Sequence, residues 1–416
     1  MLDIKQLREN TKKIKTALLK RMDQSVLEST LAKILELDEK RRGLLQASEE
    51  MKAKRNQQSK TKPTPEIIKE MKKLGEQIKG LEIKLSEVEE AFNTAMAELP
   101  NLPADDVLPG GKENNKVVKI FGKKPEFKFE PKDHVKLATN LGLIDYERGV
   151  KMSGSGFWIY KGQGALLEWA LLNYFLSFHI KNGYTFILPP YLLTEKSAYT
   201  SGHLPKFRDD LFWTQDALCL NATSEMMLGN YHRDEILEER ELPLKYCAYS
   251  ACFRREAGSY RQEERGMVRG HQFNKIEMFQ FTKPNDSWKA FDELVKNAEK
   301  LVDGLGLHFQ TVQLAAQDAS AAMSKTIDIE VWIPSMEIYK EVSSASNALD
   351  YQARRGNVRY KDSSTEKNEF VHTLNASGLA TSRLFPAILE QYQQKDGSVL
   401  VPKPLQKYCG FKKITR

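Results

Sequence analysis

A chain of 416 residues, 41% of them hydrophobic, is long enough for two or three domains and a sizeable core. The longest apolar patch, around Ala165 to Phe178, is broken by Glu168 and Asn173, which argues against a membrane span; the opening MLDIKQLRENTKKIK has no apolar export core, so the protein is expected in the cytoplasm. The net charge of +7 permits a nucleic-acid partner without demonstrating one, and Cys219, Cys247, Cys252 and Cys409 lack the spacing of a zinc site or a disulfide framework.

From about Leu27 to Leu99 the composition turns to Lys, Glu, Leu and Gln. Ile67, Met71, Leu74, Ile78, Leu81, Leu85, Val88, Phe92, Ala95 and Leu99 step by three and four, the pattern of a coiled-coil seam. Leu27, Leu31, Ile34, Leu37, Leu44 and Met51 form a second helical stripe, interrupted by Arg41 and Ser48. Thr61-Lys62-Pro63-Thr64-Pro65 separates the stripes, because a proline pair does not continue a helix. The expectation is a long antiparallel helical hairpin with arms of roughly 33 residues, reaching about 50 Å. Lys52, Lys54, Arg55, Lys60 and Lys62 gather near its tip; alone, such a charge run reads as a solvated face, and the hairpin as a dimerising coiled coil.

Leu99-Pro100-Asn101-Leu102-Pro103 ends the hairpin, and the polar stretch to about Lys124 reads as a linker. Gly154 to Gly162 is glycine-rich but lacks the ending of a phosphate-binding loop, so it reads as a turn opening a strand. Ala165 to Ile180 is an amphipathic helix leading to a strand, Tyr184 to Leu188, and then Pro189-Pro190. Tyr246 to Phe253 and Phe273 to Phe281 read as an antiparallel strand pair around a polar loop containing Gly258 and Gly266. Arg254 and Glu256, two apart, and Arg269, Phe273 and Glu277, four apart, would share one face if each set continued its strand. Guanidiniums, carboxylates and a ring on one face suit a nucleotide, since arginine neutralises phosphate and a ring stacks on a base. On spacing alone, a surface hairpin with ion pairs around a buried Phe stays open beside it.

The residues themselves carry more. FRREAGS followed by RGMVRGHQFNKIEMF closely resembles the second signature motif of class II aminoacyl-tRNA synthetases, specifically the seryl-tRNA synthetase family. The helix, strand and proline order from Ala165 resembles the first motif, Thr223-x-Glu225 an amino-acid-pocket element, DIEVWIPSMEIYKEVSSASNALDYQARR the stretch before the third motif, and TLNASGLATSRLFPAILEQYQ the third motif. The resemblance spans essentially the whole chain. It implies an α+β fold: a class II antiparallel sheet of six to seven strands flanked by helices, in a catalytic domain over 105–416, preceded by a tRNA-binding domain over 1–104 that carries the hairpin.

The implied activity is serine–tRNA ligation with ATP and Mg2+: seryl-adenylate forms, and serine passes to the 3' end of serine tRNA, with selenocysteine tRNA left open as a second acceptor. By the same resemblance, Arg254 touches the serine carboxylate and the α-phosphate, Glu256 the adenine amine, Phe273 the adenine face, and Arg269 and Arg383 the outer phosphates, with Arg254 and Arg383 catalytic. Glu341 and Ser344 hold the metal and ATP phosphates; Thr223, Glu225, Arg254, Glu277, Asn375 and Ser377 form the serine pocket. The basic tip, Lys52, Lys54, Arg55, Lys60 and Lys62, meets the tRNA, and the first motif builds a homodimer. The family usually reads Asn-Gly-Ser-Gly and Gly-Arg where this chain has Asn375-Ala376-Ser377-Gly378 and Ser382-Arg383, so Ala376 and Ser382 are expected to tighten or shift the pocket floor. A specialised second copy would keep the same site, whereas a non-catalytic RNA-binding relative would be free to lose it.

Overall fold

The structure, a computed structural model, describes residues 1–60, 64–256 and 266–416. Lys62, Pro63 and Gly258 lie outside the described residues. The chain divides into two compact units, Met1–Leu102 and Pro103–Arg416.

The first unit is helical: α1 (Ile4–Glu9), α2 (Thr11–Leu18), α3 (Gln24–Gln58) and α4 (Pro65–Glu98). Asp23 caps α3 through Ser25 and Val26, and Thr64 caps α4 with Pro65 in its first turn, where a proline's missing N–H costs nothing. The seam is best buried at the end away from the tip, at Leu27, Leu31, Ile34, Phe92, Ala95 and Met96. The interruption of the α3 stripe at Arg41 has a physical account. Asp38, fully buried, accepts from Arg8 at 2.9 Å and from Arg41 and Arg42 at 3.1 Å each, and Arg41 lies 4.9 Å from the Phe92 ring centre. A buried carboxylate survives there because three guanidiniums surround it. Toward the tip, Lys54 and Lys60 are exposed, and Lys52 pairs with Glu82 at 2.8 Å.

In the second unit the strands of the main sheet are β1 (Lys116–Phe121), β2 (Thr185–Ile187), β3 (Leu244–Phe253), β4 (Gln272–Thr282), β5 (Phe309–Gln313), β6 (Lys325–Ile333), β7 (Ile338–Leu349) and β8 (His372–Ala380). Among the described residues they form an eight-stranded sheet in the order β1-β5-β6-β7-β8-β4-β3-β2. Every pairing is antiparallel except that of the edge strand β2 with β3. The sheet therefore exceeds the expected six to seven strands. One extra edge is β1, inside the stretch read as a linker; its residues are almost all exposed, so no apolar alternation marked it as a strand.

The helices α5 (Gln163–Lys181), α7 (Ser287–Gly304) and α9 (Thr381–Gln391) pack on one face of this sheet, and the short α6 (Glu225–Leu228) and α8 (Tyr351–Gly356) lie outside that layer. The core between helices and sheet takes Leu171 and Phe175 from α5, Leu294 and Leu301 from α7, and Phe385 and Ile388 from α9. The sheet contributes alternate residues: Ile276 and Met278 of β4, Ala345 of β7, and Leu374 and Ala376 of β8. Their neighbours in sequence consequently point to the opposite face, and that face holds the site.

Candidate active site

A cavity of about 410 Å³ opens on the face away from the helices. Phe273, Lys275 and Glu277 alternate with the core residues of β4, Asn375 and Ser377 with those of β8, and Ser344 and Ser346 with Ala345 of β7. Lys275, Glu277, Asn375, Ser377, Ser344 and Ser346 line the cavity; Phe273 lines a smaller adjoining one, with Arg254, Arg269 and Arg383.

Two assumptions about strand spacing give way. β3 ends at Phe253 and β4 begins at Gln272, so Arg254, Glu256 and Arg269 lie beyond the strands. They still converge, because the chain turns: Glu256 has φ of 52°, and Arg269 Nε donates to Glu256 Oε2 at 2.6 Å. Arg254 Nε donates to the Ala222 carbonyl at 3.3 Å, and its guanidinium stands 5.2 Å from the centre of the Phe273 ring. Glu341 and Ser344, three apart on one strand, would face opposite sides of a regular sheet. A bulge corrects this: Ile329 pairs with Ser343 and Glu330 with Glu341, leaving Val342 as an extra residue, and both Glu341 and Ser344 reach the cavity.

At one end of the cavity sits a polar cluster. Thr223 precedes α6, and Glu225 opens that helix, its backbone N–H donating to Thr223 Oγ1 at 3.2 Å. Glu277 accepts from Asn375 Nδ2 at 3.0 Å on Oε1, and from Thr223 Oγ1 at 3.3 Å and Lys275 Nζ at 2.5 Å on Oε2. Glu225 accepts from Gln352 Nε2 at 2.7 Å. Burial first, and the nearby Glu277 second, push the Glu225 carboxyl up to about 7. His203, on the wall, is held neutral: burial and then Arg254, Lys275 and Arg355 bring it down to about 3, and its Nδ1 meets Ser201 Oγ at 2.9 Å. The sequence reading passed over Lys275, Gln352 and His203. Lys275 carried one legible signal, sharing strand parity with Phe273 and Glu277; the other two arrive from α8 and a loop and had none.

At the other end Arg383, near the start of α9, donates to the Glu341 carbonyl at 2.8 Å and lies 3.3 Å from its carboxylate. Ser344 Oγ donates to Asp328 Oδ1 at 2.7 Å. Burial and the Glu341 charge drive the Asp328 carboxyl well above its usual range. Glu341 and Ser344 offer oxygen atoms to the cavity, the donor type that magnesium prefers.

The two departures from the third motif separate here. Ala376 is fully buried in the core on the helix side and lines neither cavity, whereas Ser382 lines the smaller one. The glycine that remains, Gly378, has a steric reason: a Cβ there would fall 2.3 Å from His179 Nε2, which donates to the Gly378 carbonyl at 2.8 Å.

A family model described as the tRNA synthetase class II core domain (G, H, P, S and T) matches residues 207–392, which hold the site described above except for His203 and Ser201 on its wall. The prolyl-tRNA synthetase of Giardia lamblia in complex with prolyl-adenylate shares the fold alone, with a TM-score of 0.57 at 16% identity over 66% of this chain and 56% of that one. The fold is thus that of the class II synthetases.

The finer likeness is specific. The model of the seryl-tRNA synthetase N-terminal domain matches residues 1–103. The protein named serine–tRNA ligase 2 from Clostridium acetobutylicum is 54% identical over the full length of both chains, and the serine–tRNA ligase of Petrotoga mobilis 46% identical over 99% of each. The seryl-tRNA synthetase of Pyrococcus horikoshii complexed with ATP superposes with a TM-score of 0.92 at 33% identity, covering 100% of this chain and 99% of that one. The chain belongs to the seryl-tRNA synthetase family.

Proposed function

We propose that the protein activates L-serine with ATP, giving seryl-adenylate and pyrophosphate, and then transfers serine to the terminal ribose hydroxyl of serine tRNA. The observation that carries this reading is convergence: side chains from five separated stretches, Thr223 and Glu225, then Arg254, Glu256, Arg269 and Glu277, then Glu341 and Ser344, Asn375 and Ser377, and Arg383, line a single cavity. The serine carboxylate attacks the α-phosphorus and pyrophosphate leaves, so no side-chain nucleophile is needed. Arg254 holds carboxylate and α-phosphate in line and stabilises the charge that develops, while Arg269 and Arg383 take the outer phosphates. Phe273 stacks on adenine and Glu256 accepts from its amine. Glu256 and Arg269 bond each other at 2.6 Å, which sets the adenine-amine acceptor beside the phosphate-binding guanidinium. Glu341 and Ser344 would hold magnesium, which neutralises phosphate charge when bound. Glu225, Glu277, Thr223, Asn375 and Ser377 hold serine; alanine leaves their buried polar atoms unpaired and is rejected for that reason.

Lys52, Lys54, Arg55, Lys60 and Lys62 are assigned to tRNA phosphate, with the exposure of Lys54 and Lys60 in support. A homodimer through α5 and the β2 edge is supported by exposed Leu166, Trp169, Ile180 and Leu188, an apolar set a monomer would leave in water. A cytoplasmic location follows from the proposed substrates; among the described residues no helix is long and apolar enough to cross a membrane.

Serine-dependent exchange of pyrophosphate into ATP tests the reading. Exchange is expected with serine, and its absence with every amino acid would overturn the proposal. Removal of Leu27 to Leu99 should leave exchange intact and abolish charging of serine tRNA; a deletion variant that still charges normally refutes the role of the hairpin.

A further inference from the structure

We propose that Lys275 is a specificity-determining residue, which restricts the amino-acid pocket to substrates whose side chain ends in a neutral hydroxyl and excludes those ending in an ammonium. The inference rests on the serine reading above and adds to it a reason for the pocket's charge selectivity.

Lys275 is only 4% exposed, although lysine normally carries its ammonium to water. Strand parity turns it to the cavity side of β4, where Nζ stands 2.5 Å from Glu277 Oε2 and 2.6 Å from Thr223 Oγ1. An unpaired ammonium would not be retained at that depth, so the charge is held by Glu277. The pocket consequently has two acidic walls of different character. Glu277 is neutralised by a cation belonging to the protein itself and receives a further donor on Oε1 from Asn375. Glu225 is bonded to the neutral amide of Gln352, and among the described residues no salt bridge reaches it.

An amino acid presents one ammonium at its α-carbon. The wall without an ion-pair contact, Glu225, is the one whose charge that ammonium completes. The wall already neutralised, Glu277 with Lys275 and Thr223, has spare acceptor capacity and no net charge to offer, which fits a hydroxyl. A second ammonium in the hydroxyl's place would meet Lys275 at close range in a site shielded from water, where like charges repel strongly. Glu277 alone would instead favour that second ammonium. The sign of the pocket's preference therefore depends on Lys275.

The probe is L-2,3-diaminopropionate, which replaces the serine hydroxyl by an amine. Pyrophosphate exchange is measured on the full-length protein with L-serine and with the diamine, for the unmodified chain, Lys275→Met and Lys275→Arg, with thermal melts to confirm folding. The unmodified protein is expected to favour serine strongly. In Lys275→Met the ratio of kcat/KM for serine to that for the diamine should fall at least tenfold, and Lys275→Arg should keep the original ratio because it keeps the charge. If Lys275→Met melts before the assay temperature, Lys275→Gln, which preserves length and one hydrogen-bond donor, is read by the same ratio. An unchanged ratio in a folded, active neutral variant overturns the assignment, as does efficient use of the diamine by the unmodified protein. No exchange with serine in the unmodified protein overturns the serine reading itself, and that outcome is distinct from the other two.

Discussion

Glu225 shows how a single residue can be set by conflicting environments. Burial and the proximity of Glu277 favour its neutral form, up to a pKa of about 7, whereas the ammonium assigned to it needs the anion. Below that value the free pocket must lose a proton before it can hold serine. The KM for serine in the exchange reaction is therefore expected to rise as pH falls from about 8 to about 6, because the protonated acid has lost its charge for the ammonium. Glu225→Gln should flatten this profile and, at the alkaline end, raise KM by about 10- to 100-fold, the loss of one charge-assisted hydrogen bond. A serine KM in the unmodified enzyme that is level across this range would count against the role of Glu225. Residue types were legible here where a motif held them, as with Thr223, Glu225 and Glu277. Lys275 had only its strand parity with Glu277 to mark it, because a lysine in a strand ordinarily reads as a solvent-facing charge and only the neighbouring Glu277 makes its burial tenable.

Among elements, three that carry separate motifs meet at one carboxyl. Glu168 of α5 accepts from Asn274 Nδ2 of β4 at 2.8 Å and from Thr381 Oγ1, at the start of α9, at 2.5 Å. Burial raises its pKa from 4.5 to about 7, against the opposing effect of those two hydrogen bonds. The sign follows: a carboxyl with its pKa raised on folding contributes a stability that is fully present below about 4.5 and is lost as pH rises through about 7, amounting to on the order of 3 kcal/mol. Glu168→Gln keeps an acceptor for both donors and cannot ionise. It should melt above the unmodified protein at pH 8, with the difference shrinking toward pH 5, in paired thermal melts; a gap that does not change with pH would refute this account. The hairpin helices, α5 and the strand pair β3 and β4 were legible from periodicity, since each buries one stripe or one alternating face. The edge strand β1 was not, being exposed along its length, and neither was the bulge at Val342, which depends on the register of β6 against β7.

For the molecule as a whole, the proposed dimer has a direct check. Trp169 is 56% exposed on the outer face of α5, and Leu188, just past β2, is 70% exposed. Trp169→Glu combined with Leu188→Glu should shift sedimentation from dimer to monomer without lowering the helix content; a variant that still sediments as a dimer places the interface elsewhere.

By itself the sequence determined the helical hairpin, the sheet-and-helix body and the residues of three motifs, because periodicity and local residue patterns are properties of contiguous chain. Only the tertiary structure decided which of those residues share a cavity and how their charges are balanced. Arg254 and Arg269 converge through turns, Glu341 and Ser344 through a bulge, and Glu277 is neutralised by a lysine two residues away whose burial no local pattern marks. Ala376, which looked like part of the pocket floor, packs into the core because strand alternation on β8 points it toward the helices. The physical reason is common to all of these: convergence and charge compensation are relations between side chains in space, fixed by register and packing across strands distant in sequence.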